Sequence, residues 1–186
     1  MSKTWPYPAP VDDGAADHLT IGLKLPEILL RATSHAHTSL ANLPGHSVVF
    51  IYPWTGQPGL ANPPGWDDIP GAHGSTPEAE GFAELYPRFR ELGASVYGLS
   101  TQDTDWQAEF GGRIGLPFPL LSDAKFAFAR ALKLPTFKAG DTTYLSRLTL
   151  IIADGKIGHL FYPVHPPHTH AHEVLKHVEA IVQAPA

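Results

Sequence analysis

Four contiguous apolar residues, Val48, Val49, Phe50 and Ile51, sit inside SVVFIYP (47–53) with no polar break. That is the pattern of a strand covered on both faces. Downstream the period changes. Phe82, Leu85, Tyr86, Phe89 and Leu92 recur at helical spacing and Gly93 follows them, so a helix is expected over 76–92. SVYGLS (95–100) reads as a second strand. Thr104 and Gln107 then fit a capping box, opening a helix with Trp106, Phe110 and Ile114 on one face and Gly111 and Gly112 weakening its end. PFPLLSD (117–123) reads as a short extended piece, and 124–133 as a short helix with two phenylalanines turned inward. Two β-prone runs flank Asp154-Gly155 within 147–163, a strong hairpin signal. The last amphipathic helix falls at 170–183.

The first part of the chain is less regular. Residues 1–20 carry three prolines and read as an extended or frayed arm, and 24–45 fits a β-hairpin that breaks near 34–37. Residues 54–74 form a glycine- and proline-rich loop, long enough to be functional or a lid, with Trp54 and Trp66 requiring burial and Asp67-Asp68 forming a turn or cap pair. This loop ends at GSTPEAEGF (74–82), where strand, irregular loop and helix start meet. Such a point presents unpaired backbone N–H groups. Ser75 with Glu78 fits a capping box there, and Thr76 before Pro77 fits an N-cap with proline at the first helical position.

A length of 186 residues is expected to form a single domain, with 54–74 as a long inserted loop. A net charge of −5 without a basic run argues against nucleic acid as a partner. No apolar run approaches the ~20 residues of a membrane helix and no signal pattern opens the sequence. The expectation is a soluble, cytoplasmic monomer or homodimer without a cofactor. The sequence contains no cysteine, so neither disulfide nor thiol chemistry is available to it.

The element order is hairpin, β, α, β, α, short β, α, hairpin, α. It implies an α/β thioredoxin-like fold, a mixed central sheet with helices on both faces and an N-terminal β-hairpin extension. Within it SVVFIYP, STPEAEGF, VYGLSTQD, LPFPLLSD and RLTLIIADGKI follow one another as they do in a peroxiredoxin of the bacterioferritin-comigratory, or peroxiredoxin Q, type. The resemblance covers roughly residues 20–183. Such proteins reduce hydroperoxides through a cysteine in the first turn of the first main helix, regenerated by a thioredoxin-type reductant. A thiol with pKa near ~8.5 is mostly protonated at neutral pH, and a helix N-terminus and an arginine favour its thiolate.

The resemblance places Ser75 at the peroxidatic position, Glu80 at the resolving position and Arg147 as the arginine. Pro53 matches the family's proline, here separated from the helix by the insertion. Ala72 stands where the family has a threonine, so that hydroxyl is missing. Pro53, Ala72, Gly74 and Thr76 are the expected pocket walls around a hydroperoxide or small anion. Glu78 is expected to be screened by solvent. With serine and glutamate in place of both sulfurs, the thiol cycle is closed to this chain. An engineered exchange at 75 and natural divergence both account for the serine; Glu80 favours divergence. A reductant partner is implied only for a chain carrying the cysteines.

Each of these residues has a plainer reading. Arg147 beside a strand fits a solvated surface charge. His165, His168, His170 and His172 crowd one segment, but without cysteine or a spaced carboxylate they read as a surface loop that binds transition metals adventitiously, not as a metal site. His73 lies two residues from Ser75, too close for a nucleophile–base pair, and GLSTQ (98–102) lacks the second glycine of a hydrolase elbow. Two further readings stay open. One is a non-catalytic binding protein using the helix N-terminus and Arg147. The other is an interaction protein whose loop at 54–74 and Trp66 form a partner surface.

Overall fold

The computed structural model describes residues 4–184. The early hairpin is present as β1 (Leu29–Ala32) and β2 (His37–Ser39). The apolar run forms β3 (His46–Ile51), and α1 (Ser75–Glu91) leads to β4 (Ser95–Ser100). Helix α2 (Thr104–Ile114), β5 (Leu120–Ser122) and α3 (Ala127–Leu132) follow. The chain then forms a small hairpin, β6 (Thr136–Ala139) with β7 (Thr142–Leu145). It ends in β8 (Leu148–Ala153), β9 (Lys156–Phe161) and α4 (His170–Gln183). Seven strands make one mixed sheet in the order β2-β1-β5-β4-β3-β8-β9. β3 pairs parallel to β4 and antiparallel to β8.

The contiguous apolar run divides between two cores because successive strand side chains point to opposite faces. Val48 and Phe50 face α1, α2 and α4, packing with Phe82, Phe89, Phe110, Val174 and Val178. Val49 and Ile51 face α3, packing with Phe128 and Leu132. The fold is therefore the thioredoxin-like α/β arrangement expected, with helices on both faces.

Four local readings are corrected. The arm at 1–20 is not frayed over its described residues: Ala16 and Leu19 are buried in the α3-side core, and Trp5 and Tyr7 stack on His168 and His73. Residues 1–3 lie outside the described residues. The cap of α2 is Asp103, whose carboxylate accepts from Trp106 N–H at 2.8 Å. Gln107 instead turns inward and donates to Ser100 Oγ at 3.0 Å and to the Leu121 carbonyl at 2.8 Å. The β6–β7 hairpin was not foreseen. Finally, Trp66 is buried against Phe137 and Tyr144 of that hairpin, so it is an anchor of the long loop and not a partner surface.

The β8–β9 turn joins the sheet to the first half of the chain. Asp154 and Gly155 both take positive φ, 47° and 75°, and Gly45 N–H donates to Asp154 Oδ1 at 2.7 Å. A Cβ on Gly155 would fall 2.0 Å from the Ala41 carbonyl oxygen. Gly155→Ala is expected to lower the unfolding free energy by about 2 kcal/mol or more, through φ strain and this backbone clash together. Urea unfolding checks it; an unchanged midpoint would mean that the turn tolerates a side chain.

Candidate functional site

The head of α1 is built by close approach. Gly74 precedes the helix at φ 116°, and a Cβ there would lie 2.2 Å from Pro167 and 2.9 Å from Trp5. Only a residue without a side chain lets the arm and the 167–169 turn close on the helix start. Ser75 is already the first residue of α1, and no side chain caps the helix. The capping-box readings of Ser75 with Glu78 and of Thr76 are thus overturned by the backbone: the cap position falls on Gly74, and both Ser75 and Glu78 are turned inward.

What they meet is Arg147, just ahead of β8. It is 4% exposed, so the surface-charge reading fails. Its Nη2 donates to Ser75 Oγ at 3.1 Å, to the Ala72 carbonyl at 3.1 Å and to the His73 carbonyl at 3.2 Å. The threonine position therefore contributes a carbonyl where its hydroxyl is missing. Glu78 is fully buried, its Oε1 3.5 Å from Arg147 Nη1. Neither carboxyl oxygen has a hydrogen-bond partner among the described residues. Glu78 is thus not solvent-screened. Burial pushes its pKa up to about 7, against the pull of the Arg147 charge. Burial also lowers the Arg147 pKa, and Glu78 opposes that.

Behind the pair, His170 is 2% exposed. Its Nε2 lies 2.9 Å from Thr149 Oγ1 and its Nδ1 3.2 Å from a Glu173 carboxylate oxygen. Burial holds its pKa below the ordinary histidine value. His168 stacks on Trp5 with ring centroids 5.2 Å apart. The histidine segment is therefore not a surface loop: it buttresses the site. Among the described residues no three His, Asp or Glu side chains are grouped to hold a metal ion.

A cavity of about 190 Å³ opens onto Ser75. Ala72, Gly74 and Thr76 line it, with Trp5, Trp54 and Trp66 as its aromatic walls. Pro53 is buried beside this cavity and is not one of its walls. Glu80 is exposed on the outer side of α1. His73 bonds to Asp67 and stacks on Tyr7 at 3.7 Å, and it makes no hydrogen bond to Ser75. The serine has no base, which leaves no nucleophilic pair for hydrolysis. Glu78 and the three tryptophans are the residues that sequence reasoning missed as site members. The only signal for Glu78 was its place one residue before buried Ala79 on the inward stripe of α1.

Sheet order, helix placement and an arginine aimed at the first turn of α1 define a thioredoxin-like domain of the peroxide-reducing class. The redoxin family model matches residues 20–177, and the chain belongs to that family. It is 28% identical over 162 residues to a chloroplastic peroxiredoxin Q of Oryza sativa subsp. japonica, covering 86% of this chain and 67% of the relative. A chloroplastic peroxiredoxin Q of Sedum lineare is 27% identical over 165 residues, covering 88% and 80%. Among solved structures, a cysteine-to-serine mutant of Xylella fastidiosa PrxQ superposes with a TM-score of 0.72 at 24% identity, over 89% of this chain and 99% of that one. The peroxidoxin BcpB of Mycobacterium tuberculosis superposes with a TM-score of 0.70 at 26% identity, over 88% and 99%.

Glu78 makes the site visible in stability. Unfolded, its carboxyl titrates near 4.5; folded, near 7. Between these values the folded state holds a proton that the unfolded state has lost, so stability falls as pH rises. The full difference is about 3 kcal/mol. His170, held down by burial, gives the opposite slope at lower pH, so the comparison must be with a variant. Glu78→Gln is expected to gain stability relative to the parent as pH rises from 4.5 to 7, read by urea unfolding at each pH. Parallel curves would show that Glu78 titrates normally.

Proposed function

We propose that this chain is a redoxin-family protein that performs no thiol peroxidase turnover and keeps the pocket at the head of α1 as a binding site for a small polar ligand. One observation carries the reading. The chain has no cysteine, yet Arg147 remains buried and directed at Ser75, the position the family gives to its reactive sulfur. A serine hydroxyl neither ionises near neutrality nor enters the sulfenic cycle. What the arrangement still offers is a cluster of donors. The N–H groups of Ser75 and Thr76 begin α1 without an intrahelical acceptor, and the guanidinium stands behind them. A ligand carrying an acceptor group fits that end of the cavity, with its apolar part against the tryptophans.

Incubated with hydrogen peroxide, thioredoxin, thioredoxin reductase and NADPH, the protein is expected to consume no NADPH above the blank. Turnover would refute the reading. Ser75→Cys is expected to create a thiol that titrates below ~8.5, because helix amides and Arg147 favour the thiolate. An ionised Glu78 opposes this, so Ser75→Cys combined with Glu78→Gln should titrate lower still. The measurement is thiolate absorbance against pH, followed by peroxide reaction of each variant. A thiol at 75 with an ordinary pKa and no peroxide reaction would show that the electrostatics has gone with the sulfur. A second thiol at 80 would start on the exposed side of α1, so joining the two requires the first turn to unwind.

A further inference from the structure

Arg147 serves a second cavity that the pocket at Ser75 does not use. This cavity, about 200 Å³, lies on the other side of the 70–72 segment, under the N-terminal arm. Pro10, Val11, Phe137 and Pro163 give it apolar walls, and Ser146 and Arg147 stand among its polar ones. Nη2 of Arg147 is fully engaged with Ser75 and the carbonyls of Ala72 and His73. Nε and Nη1 are not: both are buried and neither has a hydrogen-bond partner among the described residues. Nη1 is turned toward Glu78 at 3.5 Å, which leaves Nε without any acceptor. A buried guanidinium N–H without a partner costs about 1–3 kcal/mol, so native structures place an acceptor there.

The walls decide what kind of acceptor fits. Arg147 is the only cationic residue lining the cavity, and the space equals about six or seven water volumes. Asp13 is the only anionic one; it sits exposed at the rim, where Tyr162 O–H donates to its Oδ1 at 2.8 Å. The geometry points to this cavity as a binding site for a small monocarboxylate with a short alkyl chain, its carboxylate on Arg147 and its chain against Pro10, Val11 and Phe137. The arm is then the roof of a ligand site, fastened at its far end by the Asp13–Tyr162 bond. This site is separate from the pocket at Ser75, although both draw on the same guanidinium.

Butyrate is the probe, titrated into the full chain at pH 6, where Glu78 is mostly protonated and leaves the arginine charge unmatched. Saturable amide shifts are expected at Gly71, Ser146 and Tyr162 in nitrogen–proton NMR spectra. Shifts centred on Ser75 and Thr76 would place the ligand in the other pocket and overturn the inference while leaving the proposed function intact. No saturable shift would mean a water-filled cavity and overturn it as well. Arg147→Met should weaken butyrate binding at least tenfold. Asp13→Asn keeps an acceptor for Tyr162 and removes the rim charge; it should tighten binding by about threefold, the size of a screened surface charge effect. Should Arg147→Met not fold, Asp13→Asn decides alone: unchanged or weaker binding contradicts a carboxylate site.

Discussion

One buried guanidinium ties this structure together. Arg147 enters from the start of β8 and reaches across to the last residues of the long loop and the first residue of α1. Its hydrogen bonds to Ala72, His73 and Ser75 give buried backbone carbonyls the partner that an irregular segment inside a protein would otherwise lack. Its charge is compensated by a single carboxyl, Glu78, at 3.5 Å and without ideal geometry. A buried pair of that kind contributes little net stability, because desolvation offsets the attraction. Its effect is on placement: the loop end, the helix start and the strand cannot shift independently without stranding a charge.

That constraint explains why the site keeps its shape without its sulfur. Nothing in the Arg147 cluster requires a thiol. Serine accepts the same hydrogen bond, and the surrounding close approaches of Gly74 to Pro167 and Trp5 do not involve the side chain at 75. The region lost to this chain is the resolving position, where Glu80 faces solvent. The additions are the arm and the loop at 54–74, which bring tryptophans over the first turn of α1. The chain thus retains the family's electrostatic frame with a more enclosed, aromatic mouth.

Much of the fold was legible because it follows from simple patterns. The uninterrupted Val48–Ile51 run named the central strand, helical spacing named α1 and α4, and Asp154-Gly155 named the last hairpin. The β6–β7 hairpin was missed although Gly140-Asp141 stands between two β-prone runs; its short strands left little period to read. The caps were misjudged for one physical reason. Serine or threonine three residues before glutamate or glutamine serves a helix terminus only when both side chains stay near the backbone. In α1 a buried arginine recruited Ser75 and Glu78 inward, and in α2 Ser100 and Leu121 recruited Gln107. Those partners lie far along the chain, so no local pattern carries them. The arm was unreadable for the same reason: Trp5 and Tyr7 find His168 and His73 only after folding.

The central claim is that Glu78 and Arg147 form an enclosed pair whose carboxyl gives up its proton only near neutrality. A carbon-13 NMR titration of the side-chain carboxyl of Glu78, in protein labelled at glutamate, measures this directly. The account predicts a midpoint near 7, in contrast to the exposed glutamates such as Glu80. A Glu78 midpoint in the ordinary carboxylate range near ~4.3 would contradict it.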